Sequence, residues 1–544
     1  MTTLPNRWAA AGLTGLLLVT ASACADPKAP ADSPTGAAKP TAGGELRVGI
    51  GDIPDCIDAA LTPYNNHIGR AVVQNLVEQD YETGEIVPWI ATSWDISDDA
   101  RTYTFHLRDD VTFSNGDPLD AQAVKATFDD AIDFRQREGR GVAAGFLTGY
   151  ESSEAVDDTT FRVTFEVPKA GFLQAASEKA LGIIHPSSLG GTYDERCATG
   201  VIGSGPFVID ENVPDQHVSI KRREGYTAPS PNAINQGDAY LDKVTLIEIP
   251  ETGVLTESLL SGELEAIIQP PEVDQERIAA EGFGVIQAVS AGLPNYFFPN
   301  VRRGVFQEVA VRQAFQVALD RQSIHDAIYG DTAPIATSPL SSPVPGHVDL
   351  SEHLAYDPDK AVSLLERAGW SEIGEDGIRV KGGERLSAVV PFTAESAKPI
   401  LQLVQSQLAE IGFELAPVQV TAAEQAAYYE GQGTWDLTGP SNYTRADPDA
   451  LLGGFHPSFA VPGWWTAESV PDLVKILDAE SLEPDPKRRQ ELVTEAQTLL
   501  LVQGYSFPIN ESSRSIAHAP NVHDLTYTRG GWNLFSDTWI DQDA

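Results

Sequence analysis

A short segment in the last quarter of the chain carries side chains suited to binding a small polar molecule. It runs from Trp435 to Asp449. The planar guanidinium of Arg445 can hold a carboxylate or a phosphate through two parallel hydrogen bonds, and the rings of Trp435 and Tyr443 can stack on a sugar or a side chain. The alternatives are a surface salt bridge for Arg445, a core position for the rings, and a turn with a helix cap at residues 447–449. These side chains make the segment a candidate for a binding site.

The sequence contains no arrangement of residues that predicts catalysis. A Gly-x-Ser-x-Gly motif is missing, and the Gly-Ser-Gly-Pro at residues 203–206 does not match it. There is no His-Glu-x-x-His motif, and His518 and His523 are too isolated to predict a metal site. We therefore predict a protein that is not an enzyme and needs no cofactor or metal. An exported hydrolase is the alternative from another class, which assays of pure protein on peptide and glycoside substrates would reveal.

The composition limits the class of protein. The chain has 544 residues, of which 42% are hydrophobic, enough for two or three packed domains. It carries 78 acidic against 37 basic residues, which gives a formal net charge of -41. Binding to nucleic acid needs a basic face. We therefore predict no nucleic-acid partner and attribute the acidity mainly to solubility.

The first 23 residues have the pattern of an export signal. Arg7 is their only charged side chain, and an apolar stretch after it ends in the small residues 21–23. The next residue is Cys24, and Ala-Ser-Ala-Cys resembles a bacterial lipobox, with Ala where Leu is usual. Residues 25–43 are rich in Ala, Pro, Gly and Thr, which predicts a flexible tether. We predict that acylated Cys24 holds the exported chain at the outer face of the cell membrane. Cleavage without acylation is the alternative.

Two further cysteines remain if Cys24 is acylated. Cysteines in an oxidising compartment commonly pair, so we predict a disulfide bond between Cys56 and Cys197. Two buried free thiols are the alternative, because the sequence does not give the distance between them.

The elements that would position these residues are a mixture of strands and helices. Alternating apolar residues predict strands with one buried face, and apolar residues at i, i+3, i+4 and i+7 predict amphipathic helices. The strands are expected at residues 45–50, 102–107, 160–167, 244–249 and 413–420. The helices are expected after the N-caps Asp120, Asp357 and Asp485 and around residues 311–318 and 401–411. No Gly/Ser-rich linker divides the chain after the tether, so we expect domains joined by several chain crossings.

Six segments spaced along the chain form an ordered series. They are residues 88–124, 203–207, 223–226, 261–265, 311–321 and 356–370. The series resembles the peptide/nickel-binding family, family 5, of bacterial ABC-transporter extracellular solute-binding proteins. Asn115-Gly116 replaces the usual Asp-Gly of the longest segment, and both dipeptides suit a tight turn with positive φ. The chain is therefore identified as a member of this family.

The resemblance implies an α/β fold with two lobes, a type II periplasmic-binding-protein-like clamp with an extra domain inserted in the first lobe. The implied first lobe is discontinuous (residues 44–75, 186–299 and 504–544), the inserted domain covers residues 76–185, and the second lobe covers residues 300–503. A ligand that contacts both lobes only in the closed state favours closure. The closed monomer would then deliver its solute to an ABC permease and ATPase complex.

The resemblance also implies that the segment after Trp435 faces the cleft. Peptide-binding relatives carry an Asp there that pairs with the ligand's α-amine, whereas this chain has Thr444 at the aligned position, and Asp447 could replace it only if the loop shifts. The predicted ligand-binding residues are Trp435, Asn442, Tyr443, Thr444, Arg445 and Asp447. The expected ligand is a small polar solute, first of all an oligo- or dipeptide. An oligosaccharide, a nickel chelate or a glutathione-like conjugate in the same fold is the alternative, and a module that signals instead of transporting is a third.

Overall fold

The computed structural model describes residues 39–62, 67–393, 397–427, 435–459, 463–528 and 531–542. The predicted export signal, residues 1–23, and the predicted acylation site Cys24 lie outside the described residues. The chain from Pro40 onward forms one compact unit. Across the described part of the chain, no helix has both the length and the apolar character needed to cross a membrane.

The described residues form strands and helices in alternation. The strands are β1 Glu45–Ile50, β2 Val77–Gln79, β3 Ile86–Pro88, β4 Ala91–Ile96, β5 Thr102–Leu107, β6 Tyr150–Asp157, β7 Thr160–Phe165, β8 Phe207–Val213, β9 His217–Arg222, β10 Lys243–Glu248, β11 Ala266–Ile268, β12 Gly284–Val289, β13 Gly292–Phe297, β14 Glu372–Ile373, β15 Arg379–Lys381, β16 Glu384–Arg385, β17 Ser387–Phe392, β18 Glu414–Gln419, β19 Ser441–Thr444, β20 Phe507–Asn510, β21 Ser513–His518, β22 Val522–His523, β23 Thr526–Tyr527, β24 Asn533–Leu534 and β25 Trp539–Ile540. The helices are α1 Gly69–Val72, α2 Ala121–Glu138, α3 Ala143–Phe146, α4 Phe172–Ser177, α5 Tyr193–Thr199, α6 Thr252–Leu260, α7 Glu272–Ala280, α8 Val309–Val317, α9 Arg321–Ile324, α10 Pro358–Arg367, α11 Lys398–Glu410, α12 Ala422–Ala427, α13 Asp449–Phe455, α14 Pro471–Leu482 and α15 Pro486–Val502.

The predicted strands and helix starts are confirmed, with bounds that differ by one to three residues at some ends. Asp120, Asp357 and Asp485 each cap a helix by accepting a hydrogen bond from the backbone N–H three residues later. The strand expected over residues 160–167 is wrong at its end: β7 stops at Phe165, and Val167 is exposed. The residue after Val167 is a proline, which has no N–H to donate to a sheet ladder.

The largest sheet has seven strands in the order β12-β21-β11-β1-β10-β9-β8. β1 pairs in parallel with β10 and β11, and β21, from near the C-terminus, pairs antiparallel with both β11 and β12. A second sheet, antiparallel and in the order β4-β5-β7-β6, shares a continuous apolar core with the first. The last part of the chain thus completes the sheet that the first part begins.

Two neighbouring connections lead from this sheet to the rest of the molecule. β12 continues into β13, and β20 continues into β21, with two residues between the strands in each case. β13 also pairs with β20 and with β19 in a three-stranded sheet of order β19-β13-β20. Residues 291–509 build two further apolar cores, one around the parallel pair β17 and β18 and one around α13, α14 and α15. The domain boundaries given above stay predictions.

Cys56 and Cys197 are joined by a disulfide bond, with their Cα atoms 4.5 Å apart. Cys56 follows β1, and Cys197 lies in α5, whose first turn is closed by a capping box at Thr192. Both cysteines are buried against Leu61 and Phe134. The bond spans a sequence separation of 141 residues, so it closes a long loop that includes the four-stranded sheet.

We predict that replacing both cysteines, C56S/C197S, lowers the free energy of unfolding by about 2–5 kcal/mol, because the unfolded chain regains the freedom that the closed loop denies it. Urea unfolding followed by tryptophan fluorescence measures this loss. Reductant should weaken the wild-type protein in the same way and leave the double variant unchanged. Equal midpoints for the two proteins without reductant would contradict the prediction.

Candidate functional site

Asn442 lies where the two chain crossings meet. It belongs to β19, whose register places Tyr443 opposite Leu293 and Thr444 opposite Gly292 of β13. The side-chain amide of Asn442 donates to Asn295 Oδ1 and to Ser512 Oγ, both at 3.1 Å. This side chain therefore connects β19 to β13 and to the link between β20 and β21.

A cavity of about 180 Å³ opens beside Asn442. Residues from the seven-stranded sheet, from the crossing strands and from the segment at residues 329–333 line it. Most of its lining is amide, hydroxyl or charged; the residues that matter here are Glu272, Gln275, Asn295, Asn442, Asn510 and Arg514. The lining can accept and donate hydrogen bonds in several directions, which suits a small polar ligand.

Two of the predicted binding residues already have charged partners in the protein. Arg445 Nη2 donates to Asp449 Oδ2 at 2.6 Å, and its guanidinium lies 5.7 Å from the ring centre of Phe146. Its side chain is only 10% exposed, so the pair is buried and is not the surface salt bridge that was the alternative. Asp447 accepts a hydrogen bond of 2.6 Å from Arg489 Nη2. Ligand contacts of Arg445 and Asp447 stay predictions, but neither charge is unbalanced here.

Arg489, on α15, holds together a buried group of three carboxylates. Its guanidinium donates to Asp447, to Asp449 Oδ1 at 3.1 Å and to Glu480 Oε1 at 2.8 Å. Oxygens of the three carboxylates lie within 4.8 Å of one another, an arrangement that suits a metal ion. The guanidinium fills that place as the cation, so the geometry favours a structural ion cluster over a metal site.

The pKa values in this cluster diverge. Burial opposes the ionisation of Asp447, but the Arg489 guanidinium outweighs it, and the pKa of Asp447 falls below its usual value. Burial raises the pKa of Glu480 to about 8, and the neighbouring Asp449 and Asp447 charges add to the rise against the opposing effect of Arg489. One cation thus keeps Asp447 ionised while Glu480 binds its proton more tightly than a free glutamate.

The same cluster touches the part of the chain that follows the four-stranded sheet. A Cβ atom on Gly171 would lie 2.9 Å from Asp449 Oδ2 and 3.0 Å from Asp447 Oδ1, so only glycine allows this approach. Ala170 N donates to Ser481 O at 3.3 Å, and Gln79 Nε2 donates to Ala446 O at 3.1 Å. These contacts join the regions predicted as inserted domain and second lobe.

The aromatic candidates occupy different environments. Trp435 is half-buried and packs against the core around α13, α14 and α15, as do the fully buried Trp464 and Trp465. Tyr443 is 39% exposed, with its ring against Gly453. Thr444 is half-buried in β19. Of the six predicted residues, the structure brings Asn442 to the lining of the 180 Å³ cavity.

A second cluster of charged residues, Lys179 and Arg514, lies against the ring of Trp532. Lys179 Nζ is 3.9 Å, and Arg514 Cζ 5.0 Å, from the ring centre of Trp532. Lys179 and Trp532 line a smaller cavity of about 20 Å³, together with Arg70, Glu78, Glu178, Ala446 and Thr528. The candidate segment at residues 435–449 therefore contributes to both cavities, through Asn442 and Ala446.

Sequence reasoning missed Lys179 and Arg514. They are 335 positions apart, since 514 minus 179 is 335, and neither lies in a recognisable motif. The one signal in the sequence is that Arg514 interrupts a run of small and apolar residues in a strand of a strongly acidic chain. That signal does not reveal Trp532 or the cavity.

The fold and the site together define a class of protein. Two regions with separate cores are joined by adjacent strands, and a polar cavity lies at the junction. Within the described residues, the carboxylate cluster is filled by an arginine and no nucleophile with a base has emerged from the sequence. This is the architecture of a two-lobe solute-binding protein.

Comparison with known proteins gives the family. The model of the bacterial extracellular solute-binding proteins, family 5 Middle, matches residues 85–461. The nickel-binding periplasmic protein of Escherichia coli (strain K12) is 27% identical over 484 residues, covering 86% of this chain and 88% of that protein. The glutathione-binding protein GsiB of Escherichia coli O6:K15:H31 (strain 536 / UPEC) is 25% identical over 481 residues, covering 85% and 88%.

Solved structures show the same fold. NikA from Brucella suis in complex with Fe(III)-EDTA superposes with a TM-score of 0.80 at 23% identity, covering 92% of this chain and 100% of that one. The oligopeptide-binding protein AppA from Bacillus subtilis in complex with a nonapeptide gives 0.74 at 20% identity, covering 93% and 100%. The chain belongs to family 5 of the bacterial extracellular solute-binding proteins. It is a binding protein that works with an ABC importer, and not an enzyme.

We predict that Arg489→Met lowers the free energy of unfolding by about 3–5 kcal/mol, because three buried carboxylates lose their shared cation. The matched control is Arg488→Met, one residue earlier, where an exposed arginine pairs with Glu491. A surface pair of this kind contributes little to stability, because water and salt screen it. Urea unfolding of both variants measures the difference, and losses of similar size would show that the buried cluster is not what Arg489 stabilises.

Proposed function

We propose that the chain captures a short peptide, as a monomer outside the cell, and delivers it to its ABC importer. The observation that carries the proposal is the chemistry of the 180 Å³ cavity beside Asn442. Its lining combines one carboxylate, Glu272, one guanidinium, Arg514, and several side-chain amides. A zwitterion with an amide backbone offers the complementary groups.

Each part of a dipeptide has a counterpart in this lining. The α-ammonium suits the Glu272 carboxylate, and the α-carboxylate suits the Arg514 guanidinium, which can bind it with two hydrogen bonds. The peptide N–H and C=O suit the side-chain amides of Gln275, Asn295 and Asn442, because an amide both donates and accepts. Asn510 Oδ1 is buried without a partner and is a further acceptor for the ligand.

The relatives support a solute of this size and polarity. AppA binds a nonapeptide in its solved complex, and GsiB is named for binding glutathione, itself a small peptide. A nickel chelate is the second candidate, after the name of the E. coli nickel-binding protein. Within the described lining of the cavity, no histidine or cysteine is present to bind the metal directly, so the peptide is favoured.

The position of the cavity gives a reason why a bound ligand would favour closure of the two lobes. Its lining comes from both sides of the strand crossings, so a ligand gains all of its contacts only when the two sides are together. Among the predicted residues, Asn442 is proposed as a direct ligand contact. For Trp435, Tyr443, Thr444, Arg445 and Asp447 a contribution to the cleft stays a prediction.

We predict that dipeptides raise the melting temperature of the mature domain. A ligand that binds only the native state adds about 2.7 kcal/mol at a concentration 100-fold above Kd. Differential scanning fluorimetry with Ala-Ala, longer peptides, cello- and xylo-oligosaccharides, glutathione and nickel–histidine measures the shift. Asn442→Ala should weaken the peptide effect, while Asn212→Ala, on the edge strand β8, should not.

A shift with sugars or with nickel–histidine alone would contradict the peptide proposal and leave the family and the fold untouched. A peptide shift that is equal in the Asn442→Ala variant would place the ligand elsewhere.

We also propose that acylated Cys24 anchors the protein at the cell membrane. The support is the sequence Ala-Ser-Ala-Cys after an apolar stretch, with a tether behind it. We predict that Cys24→Ala moves the protein from the membrane fraction to the soluble exported fraction, because a lipid anchor needs the thiol. Immunoblots of both fractions measure this, and an unchanged distribution would contradict the anchor.

A further inference from the structure

Gln269 combines a strained backbone with a place in the lining of the 180 Å³ cavity. It is the first residue after β11, and its φ is +54°, in the left-handed region that favours glycine. The next residue is Pro270, and the residue before a proline is normally extended. The backbone of Gln269 therefore departs from two preferences at once. Strain of this kind concentrates at functional sites, where the surrounding structure maintains it.

The other described non-glycine residues with positive φ lie in short connections between strands. They are Ala100 between β4 and β5, Asp215 between β8 and β9, and Asp524 between β22 and β23. A tight turn can require this conformation. Gln269 leads instead from β11 into α7, and of these four residues it is the one that lines the cavity.

Buried groups hold the segment that carries Gln269. The backbone N–H of Gln269 donates to Ser515 O at 2.8 Å, which extends the pairing of β11 with β21. Gln275 Nε2 donates to Pro270 O and to Ser515 Oγ, both at 3.1 Å. Gln287 Nε2 donates in turn to Gln275 Oε1 at 2.8 Å. Gln275 and Ser515 are buried, so this network fixes the strained conformation from below the cavity surface.

Five side-chain amides line the cavity, and four of them already share hydrogen bonds with the protein. Gln275 uses both ends of its amide in the network described above. Asn442 donates to Asn295 Oδ1, and Asn510 Nδ2 donates to the backbone oxygen of the next residue. Within the described part of the chain, the amide of Gln269 has no hydrogen-bond partner at either end. Gln269 is exposed, so its donor and its acceptor are both available to a ligand.

The place of Gln269 in the sheet also suits a ligand contact. β1 and β11 run parallel, and Gln269 follows the carboxyl end of β11. Ligands of open α/β sheets bind outside the carboxyl ends of the strands. Ser515, which accepts the backbone hydrogen bond of Gln269, is next in sequence to Arg514. Gln269 is therefore close in the sheet to the residue proposed above for the α-carboxylate of the peptide.

We propose that the Gln269 amide binds the C-terminal residue of the captured peptide. Oε1 accepts from the peptide N–H, and Nε2 donates to the α-carboxylate that Arg514 also binds. In an extended residue the N–H and the C=O point to the same side, so one side-chain amide can meet both. Gln269 is then a specificity-determining residue that requires a peptide N–H in the ligand. This inference rests on the proposed function, because it assigns a contact to the peptide in that same cavity.

The test compares two ligands that differ at this N–H. Isothermal titration calorimetry with the mature chain uses Ala-Ala and the depsipeptide alanyl-lactate, in which an ester oxygen replaces the peptide N–H. The depsipeptide leaves Gln269 Oε1 without a donor, so we expect it to bind the wild-type protein about 5- to 100-fold more weakly than Ala-Ala. Gln269→Met removes the amide with little change in side-chain length. This variant should bring the two affinities together, mainly by weakening the binding of Ala-Ala.

The matched control is Gln216→Met, which changes an exposed glutamine between β8 and β9, at the far edge of the seven-stranded sheet. It should keep the preference for Ala-Ala.

A second pair of variants separates the side chain from the strained backbone. Gln269→Gly should lose the preference and yet melt at or above the wild-type temperature, because relief of strain offsets the freedom that glycine adds to the unfolded chain. Asp215→Gly relieves the same kind of strain outside the cavity and should keep the preference.

Equal binding of Ala-Ala and the depsipeptide to the wild-type protein would overturn this inference and leave peptide capture standing. A preference that survives in Gln269→Met or Gln269→Gly would overturn it as well, and so would a Gln269→Gly protein that melts well below the wild type, because the side chain would then have a structural role. If neither Ala-Ala nor a longer peptide binds the wild-type protein, the proposed function fails, and the inference fails with it.

Discussion

The structure depends on one strand pairing, the insertion of β21 between β11 and β12 of the seven-stranded sheet. Because β21 comes from near the C-terminus, the chain has to leave the sheet after β12 and return before β21. The pairing of β13 with β20 holds these two crossings side by side. Two adjacent strands can bend together while the sheets on either side stay intact, which is the usual arrangement for a hinge.

This constraint also places the residues of the proposed binding site. Asn295 lies on β13, Asn442 on the neighbouring β19 and Arg514 on β21. Side chains from three distant parts of the sequence therefore meet at the crossings without any local motif. In the proposed complex a ligand contacts the two crossing strands, which would couple binding to closure through the same residues.

The two charged clusters differ in how completely they are neutralised. Around Arg489, buried carboxylates surround the guanidinium, and the cluster fastens together regions on either side of the cleft. Around Trp532, two cations lack such partners among the described residues. The cluster around Arg489 is complete without a ligand, so it contributes stability to the folded chain.

The sequence predicted the parts of the fold that local chemistry decides. Helix starts at Asp120, Asp357 and Asp485 follow from a side-chain cap and its neighbours, and strands such as β5 follow from alternation. Family resemblance supplied the two-lobe arrangement. The end of β7 was wrong because a proline shortly beyond it outweighed the apolar pattern.

The binding residues were harder to predict, because their roles depend on partners distant in sequence. Arg445 has the chemistry to hold a ligand carboxylate, but its partner is Asp449, and the neighbouring Asp447 is paired with Arg489 from α15. Conversely, Arg514 carries no motif, and its Nε is buried without a hydrogen-bond partner in the described part of the folded molecule. Charge balance is a property of the three-dimensional structure, so residue type and spacing could not reveal it.

The most direct measurement is a crystal structure of the mature chain saturated with Ala-Ala. We expect electron density for the dipeptide in the cavity beside Asn442, with its α-carboxylate within about 3 Å of the Arg514 guanidinium and its α-ammonium beside Glu272. A closed protein with this cavity empty, or a ligand bound away from Asn442 and Arg514, would contradict this description of the cleft.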